Sequence, residues 1–253
     1  MRLDVWLAEH GVYKSRTRAA GAIKAGCVSL AGTTLTRASY EIDDAAGAML
    51  NCLPDPLEYV GRGALKLEYA LDRFEIDVAE RECVDLGAST GGFTQVLLKR
   101  GAVKVTAVDV GHAQLDPSLL KDERVVSVEG CDARRFTAPE GTAYGFLCMD
   151  LSFISILKLK EKVAELLAPG GSAVVLFKPQ FEVGRAAVGK GGIVRDTQTA
   201  LAAMEGCIAG YGAAGLVLSG RCESPVKGGD GNTEYLLYFK KAGRPVNGGN
   251  HAC

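Results

Sequence analysis

"VDLGASTGGF", residues 84–93, runs from an apolar stretch into clustered glycines and then into a second apolar stretch. That order predicts a strand, a tight turn and a helix. Glycines in such a turn let a ligand approach the backbone where the first helical N–H groups are free. A dinucleotide turn spaces its glycines as G-x-G-x-x-G, so that a pyrophosphate fits against the helix. Here the glycines are Gly87, Gly91 and Gly92, with Ser89 and Thr90 between them. No Gly-Lys-Ser/Thr follows to make a P-loop. The turn therefore points to a nucleotide-like ligand that carries no pyrophosphate.

Outward from this turn the chain alternates between two periods. "ECVDLG", "VKVTAVDV", "RVVSVEG", "GFLCMDL" and "SAVVLFKPQF" read as strands. Helical patterns separate several of them: "GGFTQVLLKRG", "ISILKLKEKVAELLAPGG" and "TQTALAAMEGCIAGYG". "AGLVLSGRCES" and "TEYLLYFKK" follow without a helix between them and read as an antiparallel pair ending the sheet. Such alternation predicts an α/β fold with a mostly parallel sheet of seven strands. Three acids stand at strand ends. Asp85 precedes Gly87 and is placed to face a cationic amino acid moiety. Asp109 closes the next strand, where ribose hydroxyls are commonly held, and Asp132 follows a third strand, in reach of an adenine amine. Taken singly, each could be no more than a helix cap. Together, an adenosine and a charged amino acid without phosphate describe S-adenosylmethionine. The predicted binding set is Asp85, Gly87, Ser89, Gly91, Gly92, Phe93, Asp109, Asp132 and Asp150.

The first fifty residues follow a different pattern. Leu3, Trp6 and Leu7 predict a short amphipathic helix ended by Gly11, and Ser15 caps a second helix with Ala19, Ala22 and Ile23 inward. "CVSLAGTTLT" reads as a strand, a turn at Ala31-Gly32 and another extended piece. Residues 1–40 hold six basic residues against two acidic ones, a charge of +4 inside a chain of net charge −1. On these residues alone, a solvated basic face explains the charge as well as a ligand does. R-L-D-x-x-L…S-R…A…I…G-x-V-x-L-x-G, however, resembles the S4 RNA-binding domain. The resemblance implies that Arg2, Arg16, Arg18 and Lys24 meet RNA phosphates, which gives affinity but little sequence choice. We expect this module over residues 1–50, a linker over 51–62 around Pro54 and Pro56, the α/β domain over 63–242 and a flexible tail over 243–253.

A second constellation lies in the α/β part. "GALKLEYAL" supplies Lys66, "FLCMDLSFIS" Asp150, "VVLFKPQFE" Lys178 and "GNTEYLLYF" Glu234. Asp150 and Lys178 fall at C-terminal strand ends, the edge where open α/β sheets place their sites. The K-D-K-E pattern on this chassis resembles the FtsJ-like ribose 2′-O-methyltransferases. With the S4 module in front, the chain is similar to the TlyA (hemolysin A) family of rRNA methyltransferases, which implies a Rossmann-like class I methyltransferase domain. The likeness runs through "YVGRGALKL", "DLGASTGGFT", "DLSFIS", "FKPQFE", "VGKGGIVRD" and "KGGDGNTEYL". It implies S-adenosylmethionine as methyl donor, cytidine riboses of 23S and in some members 16S rRNA as acceptors, no metal and a cytoplasmic setting. Lys66, Asp150, Lys178 and Glu234 become the expected catalytic residues. Arg62 in the linker joins the expected RNA contacts. So do Arg185, Lys190 and Arg195 of the glycine-rich stretch 181–196, whose plainer reading is a flexible loop.

Composition removes several other classes. Eight scattered cysteines form no C-x-x-C pair and, with three histidines, suggest neither a zinc site nor a disulfide framework. No apolar run approaches a membrane span, and the N-terminus lacks a secretory apolar core, which speaks against the cytolysin that the family's older name suggests. A non-catalytic ribosome-assembly factor is disfavoured by the complete tetrad, and a nicotinamide oxidoreductase by the glycine spacing.

Overall fold

A computed structural model describes residues 1–243; the expected flexible tail lies, apart from Gly243, outside the described residues. Helices α1 (Leu3–Glu9) and α2 (Arg16–Lys24) open the chain, followed by strands β1 (Val28–Leu30) and β2 (Thr33–Thr34), helix α3 (Asp44–Gly47) and strand β3 (Leu50–Cys52). Ser15 caps α2 as expected, its hydroxyl accepting from the Arg18 N–H at 3.3 Å. The three strands form an antiparallel sheet in the order β2-β1-β3. Leu3, Leu7, Ala19, Ala22 and Ile23 are fully buried beneath it.

The expected linker needs correction at its start. Cys52 pairs with Val28 and Asn51 with Ser29, so the N-terminal sheet claims residues 51 and 52. Pro56–Glu58 then forms a 3-10 turn, with the Asp55 side chain accepting from the Leu57 N–H at 2.9 Å. Arg18 holds the same carboxylate at 2.8 Å. Prolines 54 and 56 thus stiffen a connection that is packed and hydrogen-bonded.

The second part contains α4 (Ala64–Arg73), β4 (Glu82–Leu86), α5 (Gly92–Lys99), β5 (Lys104–Val108), α6 (Pro117–Leu120), β6 (Val125–Val128), β7 (Tyr144–Met149), α7 (Lys160–Leu166), β8 (Leu167–Phe177), α8 (Pro179–Glu182), α9 (Thr197–Ala213), β9 (Leu216–Glu223) and β10 (Tyr235–Lys241). Its seven strands lie in the order β6-β5-β4-β7-β8-β10-β9, and β10 runs antiparallel to both neighbours. This is the Rossmann-like α/β fold expected. Both faces of the sheet are covered, as near-continuous apolar strands require. Val174, Leu176, Leu236 and Tyr238 point to the layer of α4 and α5. Val175, Phe177, Leu237 and Phe239 point to the layer of α7 and α9. Each fully buried side chain of this size contributes roughly 1.5–3 kcal/mol.

The helix expected from "ISILKLKEKVAELLAPGG" is shorter than its pattern. A 3-10 turn occupies Ile156–Leu159, α7 ends at Leu166, and Leu167 onward is strand. Pro169 biases its predecessor toward extended backbone. The Lys241 ammonium of β10 completes the ending by donating to the carbonyls of Ala164 (2.6 Å) and Leu167 (2.7 Å).

Strand order reverses between β4, which is followed by β5 on one side, and β7 on the other. Ligands of open α/β sheets bind at such a switch point, beyond the carboxyl ends of the strands. The quoted glycine turn sits there.

The candidate active site

A cavity of about 550 Å³ opens at the switch point, within the usual range for a small-molecule site. Gly87, Ser89, Asp109, Asp132 and Asp150 line it, with Leu151, Ser152 and Phe153 from the loop after β7. The glycine turn is shaped by real constraints. Gly87 has φ +89°, and a Cβ there would sit 2.4 Å from the Asp150 carbonyl oxygen. Ser89, where a dinucleotide turn carries its middle glycine, still adopts a left-handed φ of +48°. Its N–H donates to Asp109 Oδ2 at 2.8 Å, while Oδ1 accepts from the Gly111 N–H at 2.7 Å. Two backbone donors therefore fix the Asp109 carboxylate at the cavity wall, where it could receive ribose hydroxyls. Asp132 is also on the wall, held ionised by Arg134, which pulls its carboxyl down to about 2.

Four of the residues expected at the ligand lie behind the wall. Asp85 is fully buried, with Oδ2 accepting from Thr94 Oγ1 at 2.8 Å and Oδ1 unpartnered. Burial pushes its carboxyl up to about 7. Its carboxylate supports the turn from beneath and does not face the cavity. Gly91 precedes α5 with φ +93°, and Gly92 lets the helix press against the N-terminus of α4, where a Cβ would sit 3.0 Å from the Ala64 nitrogen. Phe93 is core, packed in the α4–α5 layer. Strand-to-turn geometry sends these residues inward, which glycine spacing alone does not reveal.

The four residues of the K-D-K-E pattern meet although they come from four separate segments. Lys66 Nζ lies 2.6 Å from Glu234 Oε2 and 3.7 Å from Asp150 Oδ2. Lys178 Nζ lies 2.5 Å from Asp150 Oδ1, an ion pair without hydrogen-bond angles, and donates to Ser152 Oγ at 3.0 Å. Lys66, Lys178 and Glu234 are each under 10% exposed. Asp150 belongs both to this cluster and to the cavity wall, so the charges stand at the cavity's edge.

Sequence reasoning missed several supporting groups. Ser152 shares the Lys178 ammonium, and its only signal was its place in "DLSFIS". Glu182 staples the loop after β7, accepting from Ser155 Oγ at 2.6 Å and the Ile156 N–H at 2.8 Å. Phe153 is exposed at the cavity mouth with φ +65°, a strained conformation no sequence pattern announces. The loop 183–196 is also anchored: buried Asn232 accepts from the Val194 N–H at 2.9 Å and donates to the Gly192 carbonyl at 2.8 Å. Arg185, Lys190 and Arg195 project from it, exposed. Of the N-terminal cations, Arg2 and Arg16 both bind the buried Asp4, at 2.9 and 2.7 Å, and Arg18 binds Asp55; Arg62 and Lys24 are exposed without an ion-pair partner among the described residues.

Fold, switch-point cavity and charged cluster together define a methyltransferase of the FtsJ-like class carrying an N-terminal S4 module. The FtsJ-like methyltransferase family model matches residues 59–241, and the S4 domain model matches residues 1–47. Among relatives, the Mycobacterium tuberculosis 16S/23S rRNA (cytidine-2'-O)-methyltransferase TlyA is 40% identical over 94% of this chain and 89% of its own. Hemolysin A of Brachyspira hyodysenteriae is 39% identical over 94% of this chain and 99% of its own. A solved Streptococcus thermophilus protein, provisionally described as a hemolysin, superposes with a TM-score of 0.71 at 38% identity, covering 96% of this chain and 88% of that one. The chain belongs to the TlyA (hemolysin A) family.

Proposed function

We propose that this protein transfers a methyl group from S-adenosylmethionine to the 2′-hydroxyl of a cytidine in ribosomal RNA, in the large subunit and in some settings the small one. The observation that carries this reading is the buried Lys66–Glu234 and Lys178–Asp150 pairing at the edge of a cavity whose wall holds the Asp109 carboxylate. Donors and acceptors in that cavity suit an adenosine bearing a charged amino acid: Asp109 for the ribose, Asp132 for the adenine side, and no phosphate cradle.

When bound, S-adenosylmethionine supplies an electrophilic methyl on a sulfonium. The protein's contribution is position and charge. A ribose hydroxyl is a weak nucleophile, so holding it in line accounts for much of the acceleration. Lys178 is ion-paired with Asp150 and donates to Ser152, and its ammonium keeps donor capacity for the 2′-oxygen. It serves as the binder of that oxygen or as the base that removes its proton late in the reaction. Asp150 orients Lys178 from one side and borders the methyl donor's cavity from the other. Lys66, locked by Glu234, holds positive charge beside Asp150 and fixes the substrate side of the cluster.

The S4 module and the exposed cations of loop 183–196 would grip the rRNA by its phosphates. Among the described residues, no helix is long and apolar enough to cross a membrane, and no group of three or more His, Cys, Asp or Glu is arranged for a metal. The decisive experiment supplies labelled S-adenosylmethionine and isolated 30S and 50S particles, then maps the methylated ribose. Incorporation at a cytidine 2′-oxygen is the expected result. No incorporation into either particle overturns the reading.

A further inference from the structure

A second concave surface accompanies the cavity at the switch point. A groove of about 640 Å³ runs between the S4 module and the methyltransferase domain. One wall is built from Lys24 at the end of α2 and from β1, β2 and Asn51 of the N-terminal sheet. The other is built from Arg62, Tyr69 of α4 and the segment Ser224–Gly228 between β9 and β10. The two parts cannot slide freely past one another here. Leu65 of α4 and Val226 of the β9–β10 connection are buried in the N-terminal module's own core, beside Leu3, Trp6 and Ile23. The groove is therefore a fixed feature of the chain.

Its chemistry is selective. Lys24, Arg62 and Lys227 line it, all exposed, and none has an ion-pair partner among the described residues; Glu223 is the one carboxylate in the wall. This contrasts with Arg2, Arg16 and Arg18, whose charges are partly committed to Asp4 and Asp55. The half-buried ring of Tyr69 stands in the same wall, with Asn51, Thr34 and Thr233 supplying small polar groups. Unpaired cations along a groove with an aromatic face are the combination that single-stranded nucleic acid requires: phosphates meet the cations and a base meets the ring.

Its position is equally selective. Thr233 in the wall directly precedes Glu234, and a Cβ on wall residue Gly228 would lie 2.5 Å from Glu234 Oε1. At the Arg62 side, a Cβ on the next residue, Gly63, would lie 4.0 Å from Asp150 Oδ2. The groove's wall thus lies directly beside the charged cluster at two points, near Glu234 and near Asp150.

We propose that this groove carries the RNA strand into the active site, with phosphates on Lys24, Arg62 and Lys227 and a base against Tyr69. The proposal rests on the RNA substrate inferred above and adds the strand's path, together with two contacts, Lys227 and Tyr69, that neither the S4 pattern nor the tetrad supplies.

The test uses the full-length chain and isolated ribosomal subunits. Lys24→Ala, Arg62→Ala and Lys227→Ala are compared with Lys121→Ala, an exposed lysine outside the groove. Each groove substitution should lower the salt slope of binding by about 0.7, the value for one lost single-strand phosphate contact, and the control should not. The double charge reversal Lys24→Glu/Lys227→Glu should raise KM for the particle more than tenfold while kcat at saturation stays within about twofold. Lys24 and Lys227 are surface positions, so the result stands even where Arg62→Ala folds poorly. RNA carrying a photoreactive base should also cross-link to Tyr69. Groove variants with unchanged salt slope and KM overturn the proposal while leaving the methyltransferase reading intact. A wild-type protein that binds the particles without methylating them overturns the methyltransferase reading, and the salt slopes still decide the groove. Absence of any RNA binding by the wild type overturns both.

Discussion

Two charge clusters of similar make-up are built in opposite ways in this molecule. In the N-terminal module, buried Asp4 holds Arg2 and Arg16, whose side chains are 44% and 59% exposed. In the methyltransferase domain, Asp150 stands between Lys66 and Lys178, which are 10% and 11% exposed at the side chain. In the first cluster the carboxylate is hidden and the cations face water; in the second the cations are hidden and the acid borders a cavity. Guanidinium forks suit the first arrangement, because a fork can grip a carboxylate and still present N–H groups outward. Ammonium groups suit the second, since a compact charge held by an ion pair keeps donor capacity for an incoming oxygen. If the proposed function holds, the difference teaches that burial of the cation, more than the presence of an ion pair, separates a chemical cluster from a structural one.

That contrast can be broken at several points. Lys178→Ala should leave the fold intact and cost about 10²- to 10⁴-fold in methyl transfer measured under single turnover, the usual scale for a positioned proton-handling group. Wild-type turnover by this variant would remove Lys178 from the chemistry. Asp85 gives the next largest effect. Its folded carboxyl sits at about 7, above the ordinary value, because burial penalises the charge. The neutral acid is the stable native form, so its contribution is complete below the unfolded value near 3.8 and is lost as pH rises through about 7. Asp85→Asn should flatten this decline, recovering roughly 2–4 kcal/mol at neutral pH in denaturant titrations. A decline as steep in the variant as in the wild type would show that Asp85 is not its source.

Asp4 works in the opposite direction. Hydrogen bonds from Arg2 and Arg16 hold its carboxyl below the usual range, so its stabilisation is present above the ordinary value and is lost as pH falls through the lowered one. Asp4→Ala should cost about 1–3 kcal/mol, less than a fully buried pair because both arginines reach solvent. The check is thermal unfolding of the variant, with methyl transfer at low temperature nearly unchanged. The smallest effect belongs to an exposed cation with no internal partner. Lys190→Ala should lower the salt slope of rRNA binding by about 1 and leave stability unaltered. An unchanged slope would make the loop 183–196 a structural element only.

Much of the fold was legible because its signals are local. Short, near-continuous apolar runs such as "ECVDL" and "VVLF" need only their own residues to suggest a strand buried on both faces, and Ser15 and Gly101 punctuate helices by their own chemistry. The S4 and FtsJ-like resemblances rest on short motifs of the same kind. What escaped was whatever depends on a distant partner. "LAPGG" reads as the end of a helix until Lys241, from the last strand, caps that helix early. Phe93 and Asp85 read as ligand contacts until the turn directs them into the core. Ser152 and Glu182 had no periodicity to mark them, since each acts through one hydrogen-bonding neighbour contributed by another segment.

By itself the sequence determined the α/β alternation and the two-part organisation, because residue type and spacing fix local geometry and hydrophobic face, and its resemblance to the FtsJ-like methyltransferases singled out the four charged residues. Only the tertiary structure decided which of them meet. Lys66 and Glu234 are 168 positions apart yet share a 2.6 Å contact, made possible by β10 inserting antiparallel between β8 and β9. It also decided that "VDLGASTGGF" presents Gly87 and Ser89 to the cavity while its acid and its phenylalanine support the turn from behind. The physical reason is range: a turn's backbone conformation is set within a few residues, whereas the direction of a side chain into cavity or core is set by what packs against it.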